Sequence, residues 1–75
     1  MTALPVLSGR DCVRVLEKVG FVFTRKRGSH MVMRRDAPPP ARIIVVPDHR
    51  ELDRGTLRAI IRQAGLTVEE FTALV

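Results

Sequence analysis

The sequence predicts a small two-layer α+β domain, in which helices cover one face of a three-stranded antiparallel sheet. Apolar residues recur at helical spacing before Gly20 and again after Asp53, and runs rich in β-branched and aromatic residues lie between them. The chain has 75 residues, which suits one domain with a lean core, so we expect residues 1–75 to form a single domain. The expected order is a helix, three strands, a helix and a short C-terminal helix.

The first helix is expected to begin at Ser8, after a short arm that Pro5 stiffens. The Ser8 hydroxyl can accept a hydrogen bond from the amide of Asp11, and the Asp11 carboxylate can reach back, which is the reciprocal arrangement of a capping box. The helix is expected to end at Gly20. The apolar stripe, to which Val15 is an imperfect fit, consists of Cys12, Val13, Leu16 and Val19.

A β-hairpin follows, with Phe21–Arg27 as its first strand and Ser29–Arg35 as its return strand. Gly28 permits the positive φ of a tight turn. Because side chains alternate along a strand, His30 and Arg34 share one face and the two methionines of the return strand share the other. If the methionines face the helices, His30 and Arg34 lie on the open face of the sheet. A one-residue change in register would reverse this.

Arg42–Val46 is predicted as the third strand, after a proline-rich loop. Asp53 is suited to cap a helix over Arg54–Ala64, whose apolar residues again follow helical spacing. Thr67 and Glu70 then form the capping box of a short last helix. With helices on one face of an antiparallel sheet, this layout resembles the double-stranded-RNA-binding fold.

The composition limits the class of partner and the cellular compartment that are expected for this protein. The formal net charge of +5 and the isoelectric point near 11.1 favour a polyanionic partner, either nucleic acid or an acidic protein. Trp and Tyr are absent, so no platform for stacking single-stranded bases is expected. Cys12 is the only cysteine, which excludes an intramolecular disulfide and a zinc cluster and favours a cytoplasmic protein. No apolar run approaches the roughly 20 residues of a membrane span.

Cations surround a histidine at the tip of the hairpin. Histidine can accept and donate protons near neutral pH. In RNA, a base that removes the 2′-hydroxyl proton lets that oxygen attack the adjacent phosphorus. Nearby cations stabilise the charge on the phosphoryl oxygens, so no metal ion is required in principle. The pattern favours His30 as a general acid or base, against the alternative of a surface histidine without function. The predicted phosphate ligands are Arg25, Lys26, Arg27 and Arg34.

Three other groups near the tip are weaker candidates. Ser29 is disfavoured as a nucleophile paired with His30, because adjacent strand residues point to opposite faces, and it suits a hydrogen bond to the turn or to phosphate. His49 is either a surface or capping residue, or the group that protonates the leaving oxygen. Asp48, His49 and Asp53 are too irregularly spaced to predict a metal site, so neither a metal ion nor a cofactor is expected.

Several short segments follow one another along the chain: Leu7-Ser8-Gly9, Gly20-Phe21, Gly28-Ser29-His30, Val45-Val46-Pro47-Asp48-His49 and the stretch from Gly55 to Leu66. In order and spacing they resemble the HicA family, the toxins of HicA–HicB toxin–antitoxin pairs. The resemblance implies a double-stranded-RNA-binding-like fold, ribosome-independent cleavage of mRNA, a catalytic role for His30 and a HicB antitoxin that masks the site. The chain departs from the pattern at Met31-Val32-Met33, where an aromatic residue is more usual, and at the proline run.

The sequence therefore predicts a cytoplasmic, metal-independent endoribonuclease toxin that cleaves mRNA, with His30 as general acid or base. Its expected partners are mRNA and a HicB-like antitoxin, and no membrane. Two alternatives remain at this stage. The same surface could serve a non-catalytic RNA-binding module, which would bind RNA in a salt-sensitive manner and leave it intact. It could also serve a protein-interaction domain whose basic face exists for an acidic partner.

Overall fold

A computed structural model describes residues 3–75, so the first two residues of the expected N-terminal arm lie outside it. The elements are α1 (Gly9–Lys18), β1 (Val22–Arg27), β2 (His30–Arg35), β3 (Arg42–Pro47), α2 (Arg54–Gln63) and α3 (Val68–Ala73). The strands form one antiparallel sheet in the order β1-β2-β3. The predicted fold class and element order are confirmed. The boundaries differ by one residue, because Phe21 and Ser29 lie just outside their strands, Pro47 completes β3 and Ala64 caps α2.

Helix α1 begins as predicted, with the Ser8 hydroxyl accepting a hydrogen bond from the Asp11 amide at 3.0 Å. The expected reciprocal bond is absent from the described residues, because the Asp11 carboxylate accepts from Arg14 at 2.7 Å instead. Val15 is buried, although its spacing fits the apolar stripe imperfectly. It lines a groove with Leu7 and Leu74, so the N-terminal segment and the C-terminus cover this side of α1.

The core lies between the sheet and the helices. Strand β2 alternates between buried and accessible residues, and Met31 and Met33 are the buried pair. They pair with Val46 and Ile44 of β3, which are also buried. The methionines therefore face the helices, and the condition set by the sequence is met. The opposite face of the sheet, with His30, is open to solvent.

Helix α3 begins with the predicted capping box. The Thr67 hydroxyl accepts from the Glu70 amide at 3.0 Å, and the Glu70 carboxylate accepts from the Thr67 amide at 2.8 Å. The box sets Phe71 in place one turn later, where its ring is fully buried. None of the helices within residues 3–75 is both long and apolar enough to cross a membrane.

Replacing Thr67 with Ala should lower the free energy of unfolding by about 1 kcal/mol, because two amides at the start of α3 lose their partners or their geometry. Urea unfolding followed by circular dichroism measures the change. Glu70→Gln is the matched control, since glutamine can make the same reciprocal bond and should leave stability nearly unchanged. A Thr67→Ala variant as stable as wild type would contradict a capping role for Thr67.

Candidate active site

The side chains on the open face of the sheet form three rows, each running across the three strands. Counted from the hairpin tip, the cross-strand sets are Arg27–His30–Pro47, Arg25–Val32–Val45 and Val22–Arg34–Ile43. Three arginines thus share the face with aliphatic side chains. Val22 and Ile43 are 63% and 60% exposed, which is high for large apolar residues. The face combines positive charge with an aliphatic surface, and His30 lies at its hairpin end.

A β-bulge decides which cations reach this face. The register of β1 shifts between Phe23 and Arg25, so Thr24 is an extra residue in the strand. Strict alternation from Val22 would have placed Lys26 on the open face. With the bulge, the open face receives the two arginines of β1 instead, and Lys26 turns toward the helices. The Thr24 hydroxyl donates to the Val32 carbonyl at 3.0 Å, which anchors the bulge to β2.

His30 is the first residue of β2, and it is exposed. Its neighbour on one side is Arg27, and residues directly opposite in an antiparallel pair have Cβ atoms about 4.5–5.5 Å apart. Arg25 lies two residues farther along β1 on the same face, about 7 Å away along the strand. Arg34 is four residues along β2, about 13 Å from His30. Its guanidinium is paired with the Asp36 carboxylate at 2.6 Å, and that pair is exposed.

Lys26 is separated from the other predicted phosphate ligands. Its ammonium lies 2.6 Å from Oδ2 of Asp48, and Arg10 of α1 approaches Oδ1 of the same carboxylate at 3.2 Å. Hydrogen bonds from Lys26 and then from Arg10 hold the pKa of Asp48 well below its usual range, at about 2. Asp48 is therefore ionised near neutral pH, and it compensates both cations on the helix side of the sheet.

The turn that carries Ser29 is held by the backbone. Gly28 has a φ of +58°, which is the left-handed conformation that the sequence predicts there. The Ser29 carbonyl accepts a hydrogen bond from the Asp48 amide at 2.6 Å. Among the described residues, the Ser29 hydroxyl makes no hydrogen bond to His30, and it is exposed at the tip.

His49 lies two residues beyond Pro47, which is the neighbour of His30 on β3. Its carbonyl accepts from the Gly9 amide at 2.9 Å, and its side chain is exposed. No hydrogen bond joins the two histidines in the part of the chain that the structure describes. Within residues 3–75, no group of three or more His, Cys, Asp or Glu side chains is arranged to hold a metal ion.

The sequence did not reveal the contact that organises this end of the molecule. Asp48 contacts Lys26, which is 22 residues away, and Arg10, which is 38 residues away. In the sequence Asp48 stands out only as a weak metal-ligand candidate. A proline that ends a strand beside a carboxylate is the one local signal, and it does not identify the partners.

Comparison with known proteins identifies the family. The sequence model of the family described as "HicA toxin of bacterial toxin-antitoxin" matches residues 9–66. The chain belongs to the HicA toxin family. The match ends before Thr67, so α3 lies beyond the matched segment.

A solved structure of a toxin–antitoxin complex is similar to this chain. A chain of the "Toxin-Antitoxin complex from Streptococcus pneumoniae" is 33% identical to this one, with a TM-score of 0.62. The alignment covers 80% of this chain and 98% of that chain. Among curated protein sequences, no significant match was found. The family resemblance seen in the sequence is confirmed by the family model, and the fold matches a chain of a toxin–antitoxin complex.

Proposed function

We propose that this HicA toxin is an endoribonuclease that binds and cleaves mRNA, with His30 as its general acid or base. The observation that carries the proposal is the placement of an exposed imidazole directly beside Arg27, on a face that bears two further arginines. A histidine in that position can exchange a proton with a ribose hydroxyl, while the guanidinium contacts the adjacent phosphate. Membership of a toxin family supports the same activity.

The reaction uses the nucleophile that RNA carries. His30 removes the proton from a ribose 2′-hydroxyl, and the 2′-oxygen attacks the adjacent phosphorus. The bond from phosphorus to the 5′-oxygen breaks, and that oxygen takes up a proton. The products are a 2′,3′-cyclic phosphate and a 5′-hydroxyl. Charge that develops on the phosphoryl oxygens is stabilised by fixed cations, so this route needs no metal ion.

The positions of the arginines relative to His30 assign them to different phosphates of the RNA. Arg27 lies beside His30 and suits the phosphate that is cut, while Arg25 lies farther along the face and suits a flanking phosphate. Arg34 suits a second flanking phosphate only in exchange for its exposed pair with Asp36. Ser29 at the tip can donate its hydroxyl to a phosphoryl oxygen. His49 lies two residues after Pro47, the β3 partner of His30, and its side chain is exposed, so we propose it as the auxiliary group that protonates the leaving oxygen.

We infer that a HicB-like antitoxin is the protein partner of this chain. Support comes from the similar chain of the Streptococcus pneumoniae structure, which is described as a toxin–antitoxin complex. The open face has the composition of a protein-binding surface, because exposed aliphatic residues such as Val22 and Ile43 lie beside arginines. An antitoxin with carboxylates around an apolar centre would fit this face and cover His30.

Cleavage of a fluorescently labelled RNA oligonucleotide by the purified protein tests the activity. An RNA of mixed sequence should be cut in the presence of EDTA, with products that end in a cyclic phosphate. The same sequence with 2′-deoxyribose throughout should resist cleavage, because it lacks the nucleophile. RNA that binds and stays intact would instead support the non-catalytic RNA-binding alternative. Cleavage of the all-deoxy strand would contradict the proposed chemistry.

A further inference from the structure

Asp48 lies where three parts of the chain meet. It follows β3 directly, its carboxylate contacts Lys26 on β1 and Arg10 on α1, and its amide donates to the Ser29 carbonyl in the hairpin turn. Its side chain is 16% exposed, although the two cations that it binds are more accessible. Hydrogen bonds between ionised groups are stronger than neutral ones, and they also impose geometry. A single residue, through its carboxylate and its backbone amide, therefore joins the end of the sheet, the hairpin and the first helix.

These contacts lie next to His30 along the backbone. The Ser29 carbonyl, which accepts the hydrogen bond from the Asp48 amide, belongs to the residue just before His30. Pro47, which precedes Asp48, is the β3 partner of His30 in the sheet. On the other side, Lys26 precedes Arg27, the β1 partner of His30. Asp48 thus fixes both strands that flank the histidine, through its amide on one side and its carboxylate on the other.

The same geometry withdraws Lys26 and Arg10 from the phosphate-binding surface. Both cations already contact a carboxylate, and Lys26 is on the face opposite to His30. A cation that is neutralised by a fixed anion releases no counterion when RNA binds, so it adds little to salt-dependent affinity. Arg25, by contrast, has no carboxylate within ion-pair distance among the described residues.

We propose that Asp48 is the positioning residue for the His30 site. Its contacts with Lys26 and Arg10 form a clamp, and Lys26 acts as part of this clamp rather than as a phosphate ligand. The inference rests on the proposed ribonuclease activity, and it goes beyond it by assigning roles on the helix side of the sheet. Displacement of a catalytic group by about 1 Å can cost on the order of 100-fold in rate. The clamp thus acts on kcat and leaves RNA affinity intact.

The test compares steady-state cleavage by wild type, Asp48→Asn and Lys26→Gln over a series of salt concentrations. Asp48→Asn should lower kcat by about tenfold or more, with KM unchanged or lower because two cations are released. Lys26→Gln should lower kcat in the same way and leave the salt dependence of KM unchanged. The double variant should lose no more than either single variant, since all three break one clamp.

Two matched variants separate positioning from charge. Asp11→Asn makes the same change in net charge and breaks the 2.7 Å pair with Arg14 on α1, a pair in which Asp48 takes no part. It should leave kcat and KM as in wild type. Arg25→Gln removes a cation of the open face, so it should raise KM and reduce the slope of log affinity against log salt by about one unit.

The proposal is overturned if Asp48→Asn retains the wild-type kcat, or if Lys26→Gln raises KM and reduces the salt slope as Arg25→Gln does. Lys26 is partly exposed on an edge strand, so its variant reports on the clamp even if Asp48→Asn does not fold. If wild type does not cleave RNA, the proposed function fails and the clamp is judged separately by amide hydrogen exchange. Protection of the Asp48 amide, which bonds to Ser29, should then fall in Lys26→Gln, and unchanged protection would overturn the clamp.

Discussion

His30→Ala should abolish cleavage of RNA by the purified protein and growth arrest by the expressed toxin. Loss of a positioned proton-transfer group lowers the rate by about 10²–10⁴-fold. The fold should survive, because the imidazole is exposed and makes no hydrogen bond among the described residues. Thermal unfolding should therefore match wild type within about 0.5 kcal/mol, as is usual for surface substitutions. RNA affinity, measured by fluorescence anisotropy, should stay close to wild type because the arginines remain.

His49→Ala tests the proposed second proton-transfer group. It removes the other histidine, which lies beyond Pro47 and has its own exposed side chain. If His49 protonates the leaving oxygen, the variant should cut more slowly and lose one limb of a bell-shaped dependence of rate on pH. If it only bonds to α1 through its backbone, cleavage should be unchanged. Wild-type cleavage by His30→Ala would remove the basis of the proposed function in either case.

The sequence predicted the placement of His30 because the strand that carries it has a strong pattern. Met31 and Met33 are apolar at alternate positions, and burying them leaves His30 and Arg34 on the other face. A one-residue slip would expose both methionines and bury two polar groups, so the register is firmly set. The helix caps at Ser8 and Asp53 were predictable for a similar reason, since they depend on residues only three positions apart.

Strand β1 could not be predicted in the same detail. Its bulge lies at Thr24, a residue with ordinary strand propensity, and no glycine marks the irregularity. The cation run that follows is polar on both faces, so no hydrophobic pattern fixes which of its members turns inward. The shift moves Lys26 to the helix side, where it meets Asp48. Long-range ion pairs of this kind depend on packing of the whole fold, which local sequence does not encode.

Gly9 illustrates the same limit at the start of α1. In the sequence it reads only as part of a helix opening, where glycine is not required. In the structure, a Cβ atom added at Gly9 would lie 1.9 Å from the carbonyl oxygen of Pro47 and 3.0 Å from its carbonyl carbon. The Gly9 amide also donates to the His49 carbonyl at 2.9 Å. The absence of a side chain thus lets α1 meet the end of β3, beside the residues that flank His30.

Gly9→Ala should therefore destabilise the protein by nearly 3 kcal/mol, toward the upper end of the usual range of about 1–3 kcal/mol for overpacking. The obstacle is a backbone carbonyl that cannot rotate away, so α1 or the end of β3 must move. The free-energy cost of that displacement exceeds the gain of about 0.5–1 kcal/mol that alanine brings over glycine within a helix. Chemical denaturation measures the loss. Cleavage should also fall at temperatures where the variant stays folded, because Pro47 and Asp48 move with the displaced contact.

Gly55→Ala supplies the matched control, since Gly55 lies in the first turn of α2 and has ordinary backbone angles. An added Cβ there meets nothing closer than Oδ1 of Asp53 at 3.6 Å, which is an ordinary contact. Alanine should stabilise this helix by roughly 0.5–1 kcal/mol through its propensity and the smaller entropy of the unfolded chain. Opposite signs at the two glycines would show that contact with β3, and not helix chemistry, requires glycine at position 9. A neutral or stabilising Gly9→Ala would mean that α1 can shift away from Pro47 at little cost, and the rigid junction assumed for the His30 site would fail with it.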